Sequence, residues 1–379
     1  MSRPDAKGWC PSAYRPMESG DGLIVRLKPR FGRFTAWQFR QIGAYATQFG
    51  NGIIDITTRA NLQMRGVSEA HYPALLEALR SDNIVHREPH YEQVNLLVSP
   101  AVSQDSQTQM IAEIIYGVCD QFKDLPAKFG FVIDTGYERQ LHRASGDVRI
   151  ERGYDDALLM RCDGVEAGLL TSLERLAKDL SELLNWFQEH STAQNRRMKH
   201  LSQIVPDRWT IDKPDAPKAD LPLPSDKADI IAAAYGQMKA SGLAALTSGL
   251  SDDTAIYVLP NKSLMLTSGH FQKIDGYITS LEDPRLFIAT CSGMPACGSA
   301  HINTHSLAED IISEGCLPTG MQLHISACAK GCASAHPTDI CITGHEDAFD
   351  IVEKGCAWQS ASVKSLSRPA LYGWLAQQK

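Results

Sequence analysis

The 379-residue chain exceeds the length at which one hydrophobic core usually keeps growing, so two or more packed units are expected. With 43% apolar and 21% charged residues it has the composition of a folded globular protein. A formal charge of −7 and a pI near 5.9 argue against broad phosphate-backbone binding, so nucleic acid is not an expected partner. MSRPDAKGW at the start is polar and no apolar run approaches the ~20 residues of a membrane span, which leads us to expect a cytoplasmic protein with no membrane partner. In that compartment clustered cysteines more often bind metal or do redox chemistry than form disulfides.

In chain order, DGLIVRLKP is a short β-rich run. FTAWQFRQIGAYATQFG then sets Phe39, Ile42, Ala46 and Phe49 on one face at helical spacing, and Gly50-Asn51-Gly52 ends that helix. GIIDITTRANLQMRG follows as a strand running into a turn. VNLLVSPA, KFGFVID and DALLMRCDG are further β-rich runs, and a helical pattern extends from about Leu170 to His190. DKPDAPKADLPLPSDK reads as a linker. Beyond it, GQMKASGLAALTSGLSDDTAIYVLPNKSLMLTSG repeats the order of the first unit. Setting Gly32 against Gly236 brings TTRANLQM close to LPNKSLML with a shift of about one residue, which suggests an internal duplication. RLFIATC and MQLHISAC read as strands that each end on a cysteine, DICITGHEDAFDIVEKG as a closing hairpin and LSRPALYGWLAQQ as a last short helix.

Five of the ten cysteines fall between Cys291 and Cys332. Four of them form C-x5-C (Cys291, Cys297) and C-x3-C (Cys328, Cys332), set among Gly, Ala and Ser. Small neighbours let backbone amides approach a bulky inorganic core, and four thiolates suit a [4Fe–4S] cluster. Structural zinc, whose ligands usually come as tighter knuckles, and inert buried thiols are the competing readings. Cys10, Cys119, Cys162, Cys316, Cys341 and Cys356 lack such spacing and read as buried structural thiols. His301, His305, His324 and His336 flank the pairs, but a 2-His-1-carboxylate site needs a convergence in space that spacing cannot supply, so packing or surface roles are expected. No strand-linked G-x-G-x-x-G, G-x-S-x-G, H-E-x-x-H or P-loop pattern is present.

The two cysteine pairs, the TTRANLQMRG turn, LPAKF at 125–129 and the echoing units resemble the nitrite/sulfite reductase superfamily. CPSAYRPMESGDGLIVRLKP, PNKSLML, DPRLFIATCSGMPACGSA and HISACAKGCASAHPTDICITG are similar to the branch of it that hydroxylates a precorrin with oxygen in aerobic cobalamin biosynthesis. The resemblance implies an α+β, nitrite/sulfite reductase-like fold with two ferredoxin-like half units in a pseudo-two-fold repeat, plus α+β modules for cluster and tetrapyrrole. The units expected are a first half unit at 1–80, a first module at 81–210, linker and second half unit at 211–284, and a cluster-binding module at 285–379. It also implies cluster ligation by Cys291, Cys297, Cys328 and Cys332, the last being the sulfur that bridges to the haem-like iron in siroheme reductases.

A tetrapyrrole of this kind carries about eight carboxylates, which call for Arg and Lys donors. Arg59, Asn61 and Arg65 in TTRANLQMRG and Lys128 in LPAKF match positions the family uses for this purpose. Arg26 and Lys28 fall near another, and Lys262 in PNKSL and Lys330 in CAKGC point the same way; a solvated surface cation is the alternative for each. Sulfite reductases follow LPxKF with a second lysine and place an arginine before the Asn of RN-x-x-x-SP. Here Gly130 and Val94 stand at those places, and a buried small anion left without such partners loses about 3–5 kcal/mol.

The implied reaction is hydroxylation of precorrin-3A at C20 with γ-lactone formation. It uses O2, a mononuclear non-haem iron beside the cluster, and NADH-derived electrons brought by an external reductase or ferredoxin. One alternative is a siroheme-dependent sulfite or nitrite reductase, told apart by siroheme in the purified protein. Another is a non-catalytic cluster electron carrier or tetrapyrrole-binding protein, told apart by whether a precorrin is consumed. Duplication within one chain favours a monomer.

Overall fold

The computed structural model describes residues 11–225, 229–334, 336–346 and 348–378; Cys10 lies outside them. Alternation, broken by a register shift near Leu23–Val25, builds the first sheet. In Gly22–Leu27, Ile53–Ile56 and Leu62–Val67, the side chains of Val25, Leu27, Ile54, Ile56, Leu62 and Met64 are buried on one face. Arg26, Asp55, Gln63 and Arg65 occupy the other. The strand order is Met17–Ser19, Gly22–Leu27, Leu62–Val67, Ile53–Ile56, Gln237–Lys239, antiparallel throughout. The helix Ala36–Phe49 lays Phe39, Ile42 and Ala46 into the core, with Phe49 partly buried at its rim, and a capping box between Thr35 and Gln38 starts it.

The second sheet, also antiparallel, orders Tyr277–Ile278, Ile230–Ala233, Ser263–Leu266, Ala255–Val258 and Arg33–Thr35. Each half unit thus lends one strand to the other: Arg33–Thr35 crosses into the second sheet, and Gln237–Lys239 into the first. Equivalent backbone bends launch the two crossings. Phe31 and Gly32 have φ of 52° and 78°, Tyr235 and Gly236 have 59° and 77°. The turns agree to single hydrogen bonds. Ala60 N donates to Thr57 O and Thr57 N to Asn61 O, as Lys262 N donates to Leu259 O and Leu259 N to Ser263 O. The shift between the two landmarks is two residues rather than one; the second copy has a one-turn helix, Leu243–Leu246, and a longer connection to its next strand where the first has Ala36–Phe49.

The duplication extends further than the sequence disclosed. Asn95–Val98, Gly130–Asp134, Val148–Arg152, Leu158–Cys162 and Leu169–Thr171 form a third sheet, and Ile288–Thr290, Leu323–Ser326, Thr338–His345, Ala348–Gly355 and Val363–Leu366 a fourth. Both pair in chain order as parallel, parallel, antiparallel, antiparallel. Each sets a helix between its first two strands, Ser106–Cys119 or Thr304–Ser313, and another after the last, Leu173–His190 or Arg368–Ala376. The helix expected from about Leu170 begins at Leu173 because Leu169–Thr171 is held as an edge strand against Leu158–Cys162. The expected linker holds only isolated bridges among its described residues, Asp212 to Gly168 and Lys218 to Arg139. No helix among the described residues is long and apolar enough to cross a membrane.

Candidate cluster and tetrapyrrole site

The parallel strands Ile288–Thr290 and Leu323–Ser326 end side by side, and this delivers Cys291 and Cys328 to one edge of the fourth sheet. Cys291 Sγ accepts a hydrogen bond from Ala327 N at 3.3 Å. Burial pushes its thiol up, the Ala327 and Gly293 amides pull it back, and the nearby Cys328 and Cys297 push it up again, so Cys291 lies within electrostatic reach of both. Cys332 is exposed. Lys330 Nζ donates to Ser299 Oγ at 2.9 Å and His301 N to Ala327 O at 3.0 Å, which ties the two cysteine loops together.

The repeat supplies an internal control. Ser99 N donates to Ile133 O as Cys291 N donates to Ile325 O, so Ser99 stands where Cys291 does. Gln140 follows Ile133 at the same distance in sequence as Cys332 follows Ile325. Ser99 Oγ lies 3.4 Å from Gln140 Oε1, so in the copy without these cysteines the two positions bond to each other. On that frame the fourth sheet sets Cys291 near Cys297 and Cys328, with small neighbours and two amides aimed at the Cys291 sulfur, the kind of surroundings a thiolate-bound [4Fe–4S] cluster requires. Among the described residues no three His, Cys, Asp or Glu side chains gather as ligands of a single ion. His324 is buried against Cys341, His305 stacks on Tyr235 with ring centroids 5.2 Å apart, and His301 and His336 are exposed. Cys162, Cys316, Cys341 and Cys356 are buried and Cys119 half-buried.

The cations expected to meet a tetrapyrrole divide into two groups. Arg59, half-buried, donates to Lys128 O at 3.2 Å, which brings the TTRANLQMRG turn against LPAKF, and the Lys128 side chain is exposed. Arg26 donates to Gln63 Oε1 on the polar face of the first sheet. Lys330 is half-buried beside the cysteines, and Asn61 is buried within its turn. Arg65 and Lys262 depart from the expectation. Arg65 is 3% exposed and paired with Asp21 and Asp55, both at 2.9 Å. Lys262 Nζ donates to Tyr235 O at 3.2 Å; burial lowers its pKa, and the nearby Asp55 and Cys291 oppose that. Both cations point into the seam between half units and cysteine loops, where carboxylates or carbonyls already hold them.

A cavity of about 710 Å³ is lined in part by Arg15, Lys28, Glu92, Val94, Asn95 and Phe129. Lys28 Nζ donates to Glu92 O, Val94 O and Asn95 Oδ1, and these three acceptors match an ammonium's three hydrogens. Glu92 is wholly buried, and burial raises its carboxyl pKa against the lowering effect of Lys28. Gly130 N donates to Asp147 Oδ2, and a Cβ at Gly130 would stand 3.2 Å from Asn95 O. A smaller cavity of about 330 Å³ adjoins Cys328, with His301, His345, Asp350 and Trp358 in its wall. Glu92, Asp21 and Asp55 escaped the sequence reading because a carboxylate in a polar turn or strand carries no signal of its burial.

Residues 15–82 match the nitrite/sulfite reductase ferredoxin-like half domain. The NirA protein of Mycobacterium tuberculosis superposes with a TM-score of 0.66 over 93% of this chain and 79% of that one, at 15% identity, a likeness of fold alone. The chain is therefore a protein of the nitrite/sulfite reductase-like α+β fold. In sequence it is similar to a precorrin-3B synthase of Sinorhizobium sp, 28% identical over 93% of this chain and 83% of that protein. It is also similar to a ferredoxin–nitrite reductase of Synechococcus elongatus, 24% identical over 54% of this chain and 45% of that protein. The resemblance read from the motifs holds at both levels.

Proposed function

We propose that this chain acts as a precorrin-3B synthase, hydroxylating precorrin-3A at C20 with γ-lactone formation, between the polar face of the first sheet and the cysteine loops. The observation that carries this reading is the extent of the match: the precorrin-3B synthase is similar over 93% of the chain, the nitrite reductase over 54%. Local geometry supports it. Val94 brings no cation to the cavity wall, and its carbonyl instead takes the Lys28 ammonium. At position 130 a Cβ would stand 3.2 Å from Asn95 O, so a lysine there needs that carbonyl to give by a few tenths of an ångström. The small-anion site thus lacks two cations, while Arg59, Lys128 and Arg26 keep positions suited to substrate carboxylates, with Lys330 beside the cysteines.

When bound, a [4Fe–4S] cluster on Cys291, Cys297, Cys328 and Cys332 supplies one-electron transfer. The chain's own residues bind and orient: the Arg59–Lys128 pair and Arg26 hold carboxylates by charge-assisted hydrogen bonds, and Lys330 joins the two cysteine loops through Ser299. Hydroxylation consumes O2, two protons and two electrons, the electrons coming from an external reductase or ferredoxin; one oxygen atom enters the substrate and the other leaves as water. The mononuclear iron implied by the resemblance has no ligand set among the described residues, and no step is assigned to it. The reading is tested by supplying precorrin-3A, ¹⁸O2 and a reductant to the purified protein and looking for label in the product.

A further inference from the structure

Three donors from the first half unit converge on one carbonyl of the cysteine loop. Ala296 O accepts from Ser19 Oγ at 2.6 Å, Gly20 N at 3.1 Å and Arg65 Nη2 at 3.1 Å, one residue before Cys297. The contact is tight: a Cβ at Gly20 would stand 3.0 Å from Gly298 N and 3.1 Å from Pro295 O. Arg65 is fixed in turn by Asp21, which takes Nε at 2.9 Å and Nη2 at 3.0 Å, and by Asp55, which takes Nη1 at 2.9 Å. A guanidinium enclosed by two carboxylates has little net charge to offer a third. We propose that Arg65 is a positioning residue for the Cys291–Cys297 loop and that, with Ser19 and Gly20, it sets where Cys297 stands. The inference rests on the cluster reading above.

The second copy gives independent support. Ile54 faces Met64 and Asp55 faces Gln63 in the first half unit, as Ile256 faces Leu266 and Tyr257 faces Met265 in the second. Tyr257 therefore corresponds to Asp55 and Thr267 to Arg65. Gln104, as far beyond Ser99 in sequence as Ala296 is beyond Cys291, reaches that very pair: its Nε2 lies 2.8 Å from Tyr257 Oη and 3.5 Å from Thr267 Oγ1. The contact between half unit and module loop is thus made twice, once with neutral groups beside Ser99 and once with ion pairs beside the cysteines. A substrate contact has no reason to recur in the copy that lacks the cysteines, whereas an architectural contact does. The charged version holds the loop that carries Cys297.

The test uses the full chain with Ser19→Ala, Arg65→Met and Arg65→Lys, and with Arg59→Ala for comparison. In chelator-stripped protein, Ser19→Ala and Arg65→Met should raise the rate of Cys297 alkylation by iodoacetamide roughly five-fold relative to Cys316, the population change set by about one net hydrogen bond. Arg65→Lys should fall between Arg65→Met and wild type. After iron and sulfide are restored, the electron paramagnetic resonance spectrum of the dithionite-reduced protein should change in the same order, with the Kd for precorrin-3A within two-fold of wild type. Wild-type alkylation and spectra in both Ser19→Ala and Arg65→Met would overturn the proposal, and so would a ten-fold weaker Kd in Arg65→Met matching Arg59→Ala. Should Arg65→Met not fold, Ser19→Ala decides alone. A wild-type protein that takes up no cluster refutes the cluster reading instead, and the alkylation rates still decide the role of Arg65.

Discussion

Arg59 and Arg65 lie in one turn-and-strand segment, and both are arginines of the kind a tetrapyrrole site needs, yet the molecule treats them differently. Arg59 bonds a carbonyl and a hydroxyl, Lys128 O and Ser145 Oγ. Arg65 is locked between Asp21 and Asp55. Charge-assisted hydrogen bonds contribute about 1.5–3 kcal/mol each. Arg59→Ala and Lys128→Ala should each weaken precorrin-3A binding by about that amount, measured by titration, with iron content unchanged. Unaltered affinity in both variants would remove this pair from the substrate site.

At the scale of elements, glycine geometry controls the strand exchange that joins the half units. Gly236 has φ of 77°, and an added Cβ would stand 2.6 Å from Lys262 Cδ. Gly236→Ala should therefore cost about 1–2 kcal/mol for the left-handed backbone, with Lys262 forced aside as well, lowering the urea midpoint. An unchanged midpoint would mean that the crossing tolerates a different bend.

Several elements were legible in the sequence because burial and period coincide in them. Ala36–Phe49 shows its apolar face at helical spacing and stops at Gly50, and the strands before Cys291 and Cys328 are short apolar runs. Val148–Arg152 was not legible. Its five residues, VRIER, alternate as a half-buried strand does but are too few to stand out, and nothing in them shows that Arg149 and Glu151 are buried too, Glu151 held by Arg161 at 2.6 Å. Ser106–Cys119 carries β-branched Ile111, Ile114, Ile115 and Val118 around Gly117, which blurs the helical signal. The cysteine spacing pointed to the candidate cluster site, but the contact that braces it did not show, since Arg65 and Ala296 are 231 residues apart in sequence.

For the whole molecule, buried Asp134 and half-buried His86 make stability depend on pH in opposite senses. Asp134 is raised from 3.8 to about 6, chiefly by burial, with Glu151 adding and the Leu141 amide opposing. The folded state thus binds the extra proton, and this group's contribution to stability is lost as pH rises from about 4 to 6. His86 is lowered from 6.5 to about 4, by burial first and then by Arg30, Lys28 and His90, so its contribution is lost as pH falls over that range. Asp134→Asn should gain stability relative to wild type as pH rises from about 4 to 6, and His86→Gln should gain as pH falls from about 6.5 to 4. Urea midpoints across this range check both signs, and parallel curves for variant and wild type would contradict them.

The duplicated framework gives the two modules different loop edges. Both modules present the same sheet and loops, but the first closes its loop edge with Ser99 and Gln140 while the second opens its own with four cysteines. Under the proposed function, Val94 and Gly130 leave the small-anion site without two cations, while Arg59, Lys128 and Arg26 serve the larger carboxylates of the substrate. The most direct test of that division is product analysis after anaerobically purified protein receives precorrin-3A, an electron donor and ¹⁸O2. The account predicts one labelled oxygen atom at C20 of a lactone product, from protein without siroheme absorption bands. Siroheme in the protein, with turnover of nitrite or sulfite and no label in the precorrin, would contradict it.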